Sequence, residues 1–234
     1  MTNLVSALGL GLSFFLVSSI SLAQQSITFD FSKDHQGFSA GFADYPINDQ
    51  SNYELQATHK RLPSELQTPG KAIYLHGKNL SDDLYMYLKN EIKVEANTTY
   101  KPEFHITFAS NVPQGCYGVG GSPGESVYLK VGASAFEPRG VVDAADNYLR
   151  MNIDKGNQST DGQHATAISH IHNWNPCEDP QNEPYRWVDA SGEHLNPVTS
   201  SEDGRLWINV GTDSAFESAT GLYFREIKVV LTPI

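Results

Sequence analysis

The stretch GRLWINVGTDSAFESATGLYFREIKVVL, from Gly204 to Leu231, decides the fold class of this chain. Apolar and polar residues alternate in LWINV (206–210) and across much of LYFREIKVVL (222–231), which is the two-residue period of a half-buried β-strand. We therefore predict two neighbouring antiparallel strands joined by the polar segment 211–220. That segment is longer than the about 2–5 residues of an ordinary hairpin loop. It is either a ligand-binding loop or a solvated connection.

Further strand patterns recur along the chain, rich in the β-branched and aromatic residues that suit a pleated surface. Pro-Gly, Gly-Gly and Asp-Gly turn signals separate them. Only a short piece near 141–147 is expected to be helical. Many short strands at this spacing predict an all-β fold, a two-sheet antiparallel sandwich of jelly-roll type, with a barrel as the alternative. The further predicted strands are 27–31, 72–75, 84–88, 103–108, 126–131 and 165–171.

The first 23 residues differ from the rest. Residues 4–20 carry no charge and are mostly apolar, and Ser21-Leu22-Ala23 follows, with small residues at the positions that a signal peptidase reads. We predict a signal peptide over 1–23, with a retained membrane anchor as the alternative because an apolar run of this length is near the shortest that spans a bilayer. Residues 24–234 are then a single β-sandwich domain that is secreted or periplasmic, with no membrane span after signal removal.

Charge and cysteine content narrow the functional classes. The chain has 16 Lys and Arg against 27 Asp and Glu, a net charge of −11. This balance disfavours nucleic acid and anionic lipid as partners, since both require clustered basic residues. Cys116 and Cys177 are most simply a disulfide in an oxidising compartment, and two free thiols are the alternative.

The two ends of the mature chain resemble a known family. Phe29-Asp30-Phe31 near the start and Tyr223-Phe224-Arg225-Glu226-Ile227 near the end are similar to the first and last strands of galactose-binding-like and carbohydrate-binding modules. The resemblance implies a jelly-roll β-sandwich that binds a polysaccharide or glycan. It also implies a structural calcium ion at the terminal strands, with Asp30 and Glu226 as ligands. Arg225 departs from the family, which often has Asp there.

Aromatic side chains are the candidate ligand contacts, because flat rings match the apolar faces of sugars while polar groups orient them. Trp207 lies in mid-strand and is expected in the core, whereas two other tryptophans lie in or beside a polar, Pro-rich segment. A disulfide would also bring the Gly-rich loop 115–126 beside Trp174. The predicted ligand-binding residues are Trp174, Trp187, Tyr117, Glu125 and Asp213.

Two further patterns leave alternatives open. His170 and His172 are two residues apart, so they share a strand face as a metal pair or as an ordinary structural pair. The segment YLKVGAS (128–134) is distantly similar to a strand of alginate-lyase-like jelly rolls, but Ser134 stands where those have an aromatic residue. Non-enzymatic glycan binding is the main prediction, and catalytic residues are not assigned. The alternatives are a polysaccharide lyase or glycoside hydrolase, and a structural or adhesive envelope protein.

Overall fold

A computed structural model describes residues 23–234. The predicted signal peptide therefore lies outside the described residues, apart from Ala23. No helix within the described part is long and apolar enough to cross a membrane.

Fifteen β-strands and two short 3-10 helices form within residues 23–234. The helices span Ile47–Tyr53 and Ser64–Leu66. The strands are β1 (Gln25–Asp30), β2 (Ser39–Ala43), β3 (Tyr45–Pro46), β4 (Gln56–Arg61), β5 (Lys71–Lys78), β6 (Leu84–Lys93), β7 (Thr99–Ser110), β8 (Val127–Ser134), β9 (Gly140–Asp143), β10 (Tyr148–Met151), β11 (Thr166–His170), β12 (Arg186–Glu193), β13 (Val198–Thr199), β14 (Arg205–Ser214) and β15 (Ala219–Pro233).

Two antiparallel sheets pack face to face, as the sequence predicts. Sheet A has the order β12-β7-β15-β5-β4, and β1 and β13 pair with β15 and β7. Sheet B has the order β11-β8-β14-β6-β2. Alternate residues of each strand point into a common core, where Ile208 and Val210 of sheet B join Ile106, Phe108 and Ile227 of sheet A, all at most 1% exposed. The all-β sandwich is confirmed, and the barrel alternative is wrong.

The prediction for the opening stretch is wrong in two respects. β14 and β15 are not neighbours, because β14 pairs with β6 and β8 in sheet B while β15 pairs with β1, β5 and β7 in sheet A. The predicted loop 211–220 is also mostly strand, so that only residues 215–218 connect the two sheets. The alternation of apolar and polar residues shows which face of a strand is buried. The pattern does not depend on which sheet the strand joins, so it cannot identify the neighbouring strand.

Two smaller predictions are also corrected. Segment 141–147 is not helical, because β9 and β10 form a hairpin there, in which the Asp143 carboxylate accepts from the Ala145 amide and so favours a turn over a helix. Trp207 is not in the core. It lies half-buried on the outer face of sheet B, with the Lys89 ammonium 5.8 Å from its ring centre, while Leu206 and Ile208 point inward.

A third layer covers the outer face of sheet B. The small sheet β3-β10-β9 packs against it, with Met151 on Tyr85 and Tyr87. The following segment 152–165 lies so close to β8 that a Cβ at Gly132 would fall 1.9 Å from the carbonyl oxygen of His164. Glycine at this position therefore permits the covering layer to contact the sheet, and little of this face is left open to a ligand.

Candidate functional site

Four loops meet at one end of the sandwich, and we call them together the loop end: residues 79–83, 111–126, 171–185 and 215–218. The Asn79 side-chain amide donates to the carbonyl oxygens of Ser214 at 2.8 Å and Phe216 at 3.1 Å. The Glu217 amide donates to the Val119 carbonyl at 2.9 Å. These bonds join the connection between the sheets to its neighbouring loops, so the loop end is one continuous surface.

A disulfide ties the two longest of these loops together. Cys116 and Cys177 are bonded, with their Cα atoms 5.2 Å apart, so the predicted disulfide is confirmed. Beside it the Asn173 amide donates to the Val112 carbonyl and the Gln114 amide to the Asn175 carbonyl, each at 2.8 Å. The Gly-rich loop is thereby held against the Trp174 segment, as the sequence analysis expects.

Large apolar side chains are exposed on this surface. Tyr117 is fully exposed, and Trp174 and Val119 are 66% and 67% exposed. Trp174 has a φ of 68°, and its carbonyl accepts from the Gln114 side chain at 3.0 Å. Its ring meets the His172 ring edge to face, with the ring centres 4.3 Å apart. Trp174 is therefore fixed in place while most of its side chain faces solvent.

A groove of about 370 Å³ runs beside the disulfide. Both cysteines and Tyr117 line it, together with apolar side chains and a few neutral polar ones. Such a mixture suits a ligand that presents both apolar faces and hydroxyl groups. The apolar side chains are Val112, Pro113, Pro123, Pro180, Phe216 and Ala219, and the neutral polar ones are Asn111, Gln181 and Ser218.

Glu125 links two parts of the Gly-rich loop 115–126 by hydrogen bonds. Its carboxylate accepts from the Gly115 amide at 2.7 Å and from the Ser122 hydroxyl. Burial alone would raise the pKa of Glu125, but these hydrogen bonds outweigh it and the pKa is lowered. The residue is therefore ionised at neutral pH and holds the loop that carries Tyr117.

A row of rings leads from sheet B to Trp174. The ring centres of Tyr128 and His170 are 5.4 Å apart, those of His170 and His172 are 6.1 Å apart, and Trp174 follows. Burial lowers the pKa of His172, an effect that nearby Glu125 only partly offsets. Tyr128 joins the row because it pairs with His170 across β8 and β11, a register that alternation alone does not reveal. Within residues 23–234 no three His, Cys, Asp or Glu side chains converge as metal ligands.

Trp187 is the second residue of β12, just after the loop end, and does not lie on the exposed loops. It stands on the outer face of sheet A, half-buried against a cluster that includes Tyr185 and Tyr223. Its indole nitrogen donates to the Thr68 hydroxyl at 3.3 Å. The structure thus separates the two tryptophans that the sequence places together, because β12 begins between them and leads into the sheet.

Asp213 also lies elsewhere, fully buried in β14 beneath segment 152–165. Its carboxylate is 2.8 Å from the Lys155 ammonium and 3.2 Å from that of Lys130. Lys155 further contacts Asp44 at 3.0 Å and Asp83 at 3.7 Å. We call these five residues the Lys155 network. The sequence alone does not reveal this network, because its members come from five separate segments of the chain.

The network perturbs the protonation of its members in opposite directions. Burial would lower the pKa of Lys155, but the three carboxylates around it raise the pKa instead. Lys130 has Asp213 alone as its carboxylate partner in the network, so burial dominates and its pKa is lowered. Burial together with Asp213 and Asp44 raises the pKa of Asp83 to about 7, in spite of Lys155. The charged groups of the network therefore pair with one another and are not directed at a ligand.

Asp30 and Glu226 face each other across β1 and β15, as the terminal strands of the resemblance imply. The Arg225 guanidinium donates to the Asp30 carboxylate at 2.8 Å, and the Ser32 amide donates to it at the same distance. Arg225 therefore places a positive charge beside the Asp30 carboxylate. A calcium ion at Asp30 and Glu226 stays a prediction, and the donors present favour the arginine.

Comparison with known proteins finds similar solved structures but no similar sequence family. No family model matches the sequence, and no curated protein matches it. The cleaved adhesin domain of Lys-gingipain from Porphyromonas gingivalis is 11% identical over 88% of this chain and 97% of its own, with a TM-score of 0.40. The CBM22-1-GH10 modules of a Clostridium thermocellum xylanase, complexed with xylohexaose, are 9% identical over 87% of this chain and 28% of theirs, with a TM-score of 0.38.

A third neighbour is the carbohydrate-binding module CBM28, specific for non-crystalline cellulose. It is 8% identical over 82% of this chain and 86% of its own, with a TM-score of 0.35. Carbohydrate-binding modules are thus among the solved structures that this chain is similar to, as the ends of the sequence suggest. At these identities and TM-scores the likeness carries no argument about function, which has to come from the residues themselves.

Proposed function

We propose that this protein is a secreted or periplasmic, non-enzymatic binding protein whose loop end holds a carbohydrate or a related cell-surface ligand. The observation that supports this is the exposure of two rings, Tyr117 and Trp174, on loops tied by the Cys116–Cys177 disulfide. Large aromatic side chains gain most by burial, so two of them held in solvent on fixed loops mark a binding surface.

The ligand would contact both the aromatic rings and the neutral polar side chains of this surface. The rings would stack on the apolar faces of sugar units, while Asn111, Gln181 and Ser218 in the adjoining groove would bond their hydroxyls. The disulfide keeps the loops in position before binding, which reduces the entropy lost when the ligand binds. The outer face of sheet B is a poorer candidate, because β3-β10-β9 and segment 152–165 cover it.

Secretion is part of the same proposal. The disulfide formed in the structure suits an oxidising compartment, and the predicted signal peptide suits export. Expression of the full chain with and without residues 1–23 would test it. We expect protein that begins at Gln24 outside the cytoplasm, and retention of the whole chain at a membrane would instead support the anchor alternative.

Binding is tested by affinity electrophoresis of residues 24–234 in gels cast with plant, algal and microbial polysaccharides, with calcium and with chelator. We expect retardation in at least one gel. Retardation should be lost in Trp174→Ala and weakened in Tyr117→Ala, both of which should fold normally. Phe136→Ala is the matched control, because it removes a 44% exposed ring beyond the opposite end of β8.

Other outcomes separate the alternatives. Normal mobility in every gel would contradict glycan binding and favour the structural or adhesive alternative. Release of reducing or unsaturated sugars from a retarding polymer would favour the lyase or hydrolase. Retardation lost in Trp187→Ala but retained in Trp174→Ala would move the site to the outer face of sheet A, where the sequence analysis also places a ligand contact.

A further inference from the structure

Basic residues are absent from the sequence of the loop end. Its four loops contain no Lys or Arg, so all 16 of these residues lie in other parts of the chain. The same loops carry seven carboxylates. Two of them are engaged internally, since Asp83 faces Lys155 at 3.7 Å and Glu183 faces Arg186 at 3.6 Å.

Of the other five, Glu125 is hydrogen-bonded within the Gly-rich loop, and the remaining four have no Lys or Arg partner among residues 23–234. Asp82, Glu178 and Asp179 are exposed, and Glu217 is half-buried. Among residues 23–234 none of the four forms an ion pair with Lys or Arg, and the hydrogen bond to Asp179 comes from the neutral Asn182 side chain. The surface around Tyr117 and Trp174 is therefore negative.

The nearest positive groups do not change this sign. Lys78, just before the first loop, points toward Glu54 at 3.8 Å, and Arg186, just after the third, lies beside Glu183. Lys155 is enclosed by its three carboxylates. Burial lowers the pKa of His172, so this ring is neutral at pH 7 and adds no positive charge beside Trp174.

We infer that the ligand of the loop end is a glycan that carries protonated amino groups, such as a polymer of free hexosamine units. This inference rests on the proposed function. The faces of Trp and Tyr rings attract cations, and unpaired carboxylates beside them add Coulomb attraction. A uronate or sulfated glycan would meet only like charge here and would be repelled.

The test compares three oligosaccharide probes of equal length by calorimetry: a glucosamine oligomer, its N-acetylated form and a galacturonate oligomer. We expect the glucosamine oligomer to bind at least about tenfold more tightly than the N-acetylated form at low salt, a difference that shrinks as salt screens the charges. The galacturonate oligomer should not bind.

Two patterns of probe binding would overturn the inference and leave the proposed function standing. They are equal binding of the free and N-acetylated oligomers at every salt concentration, and tighter binding of the galacturonate. Failure of all three probes together with normal mobility in every polysaccharide gel would overturn the proposed function as well. Failure of the three probes with retardation by a neutral polymer would overturn the inference alone.

Charge variants test the same point on the protein. Glu178→Gln with Asp179→Asn should weaken glucosamine binding about two- to fivefold for each carboxylate removed, as for exposed charge pairs. Binding of the N-acetylated oligomer should not change. The matched control is Glu193→Gln with Glu202→Gln, two exposed carboxylates outside the loop end. An equal loss of affinity for the glucosamine oligomer in both double variants would show that only the overall charge of the protein matters, and would contradict a local role of Glu178 and Asp179.

Discussion

The Lys155 network and the loop end both concentrate charged and aromatic side chains, yet they use them in opposite ways. In the network two ammonium groups and three carboxylates from five segments bond to one another beneath segment 152–165. At the loop end the Tyr117 ring and most of the Trp174 side chain face solvent, and several carboxylates there have no Lys or Arg partner among residues 23–234. The difference shows that a dense set of titratable groups marks a binding site only where the protein leaves them unused.

The largest effect expected from this comparison is on the network. Lys155→Met would leave Asp213 and Asp44 without their main cation, so the free energy of unfolding should fall by about 3–5 kcal/mol. Urea denaturation measures it. Lys78→Met is the control, because that ammonium is 41% exposed and its single partner lies at 3.8 Å, so its loss should cost under about 1 kcal/mol. An equally small loss at Lys155 would contradict the assignment of the network to stability.

The disulfide links the loop end to the rest of the fold. Cys116→Ser with Cys177→Ser removes a crosslink between residues 61 apart in sequence, which should lower the free energy of unfolding by about 2–4 kcal/mol. It should also weaken ligand binding, since the loops of Tyr117 and Trp174 would no longer be held together. Reduction of the wild-type protein should reproduce both effects. Unchanged affinity would show that the hydrogen bonds at Gln114 and Asn173 position the loops without it.

Local pattern explains which parts of this structure the sequence predicts. Alternation in LWINV and EFHITF gives the strands and their buried faces, because each strand has one side in the core. The sheet to which a strand belongs depends on long-range pairing, which local pattern does not show. A connection as short as residues 215–218 favours a hairpin, yet here it links strands of two different sheets. The Cys116–Cys177 pair was predictable because two cysteines allow only one intramolecular bond.

The site is predictable in part for the same reason. Tyr117, Glu125 and Trp174 share the loop end because the disulfide brings their loops together, and composition identifies both loops as irregular. Trp187 follows a polar segment and Asp213 lies between polar residues in sequence, but the structure places them on a sheet face and in a buried network. Whether such a side chain is exposed to a ligand or buried depends on tertiary packing, which its neighbours in the sequence do not determine.

A smaller effect separates the two tryptophans. Trp187→Ala should lower the free energy of unfolding by about 2 kcal/mol, less than for a fully buried ring, because its side chain is half-buried against Tyr185 and Tyr223. Trp174→Ala should cost under about 1 kcal/mol, since most of that ring already faces solvent. Denaturant unfolding of both variants measures the difference. The reverse order would show that Trp174 is a packing residue and weaken the proposed site.

A pH effect distinguishes two adjacent residues, of which one faces the Lys155 network and the other is exposed. Asp83 faces the Lys155 network and its pKa is raised to about 7 by burial and by Asp213 and Asp44, against an ordinary value of 3.8, whereas Asp82 is exposed at the loop end. Because folded protein keeps the Asp83 proton that unfolded chain releases, this residue should make stability fall as pH rises from about 4 to 7 and add nothing further above it. Asp83→Asn should remove that component from urea midpoints measured between pH 4.5 and 8, while Asp82→Asn should leave the profile unchanged and weaken binding of an amine-bearing glycan. Parallel pH profiles for wild type and Asp83→Asn would show that the proton is held elsewhere in the network.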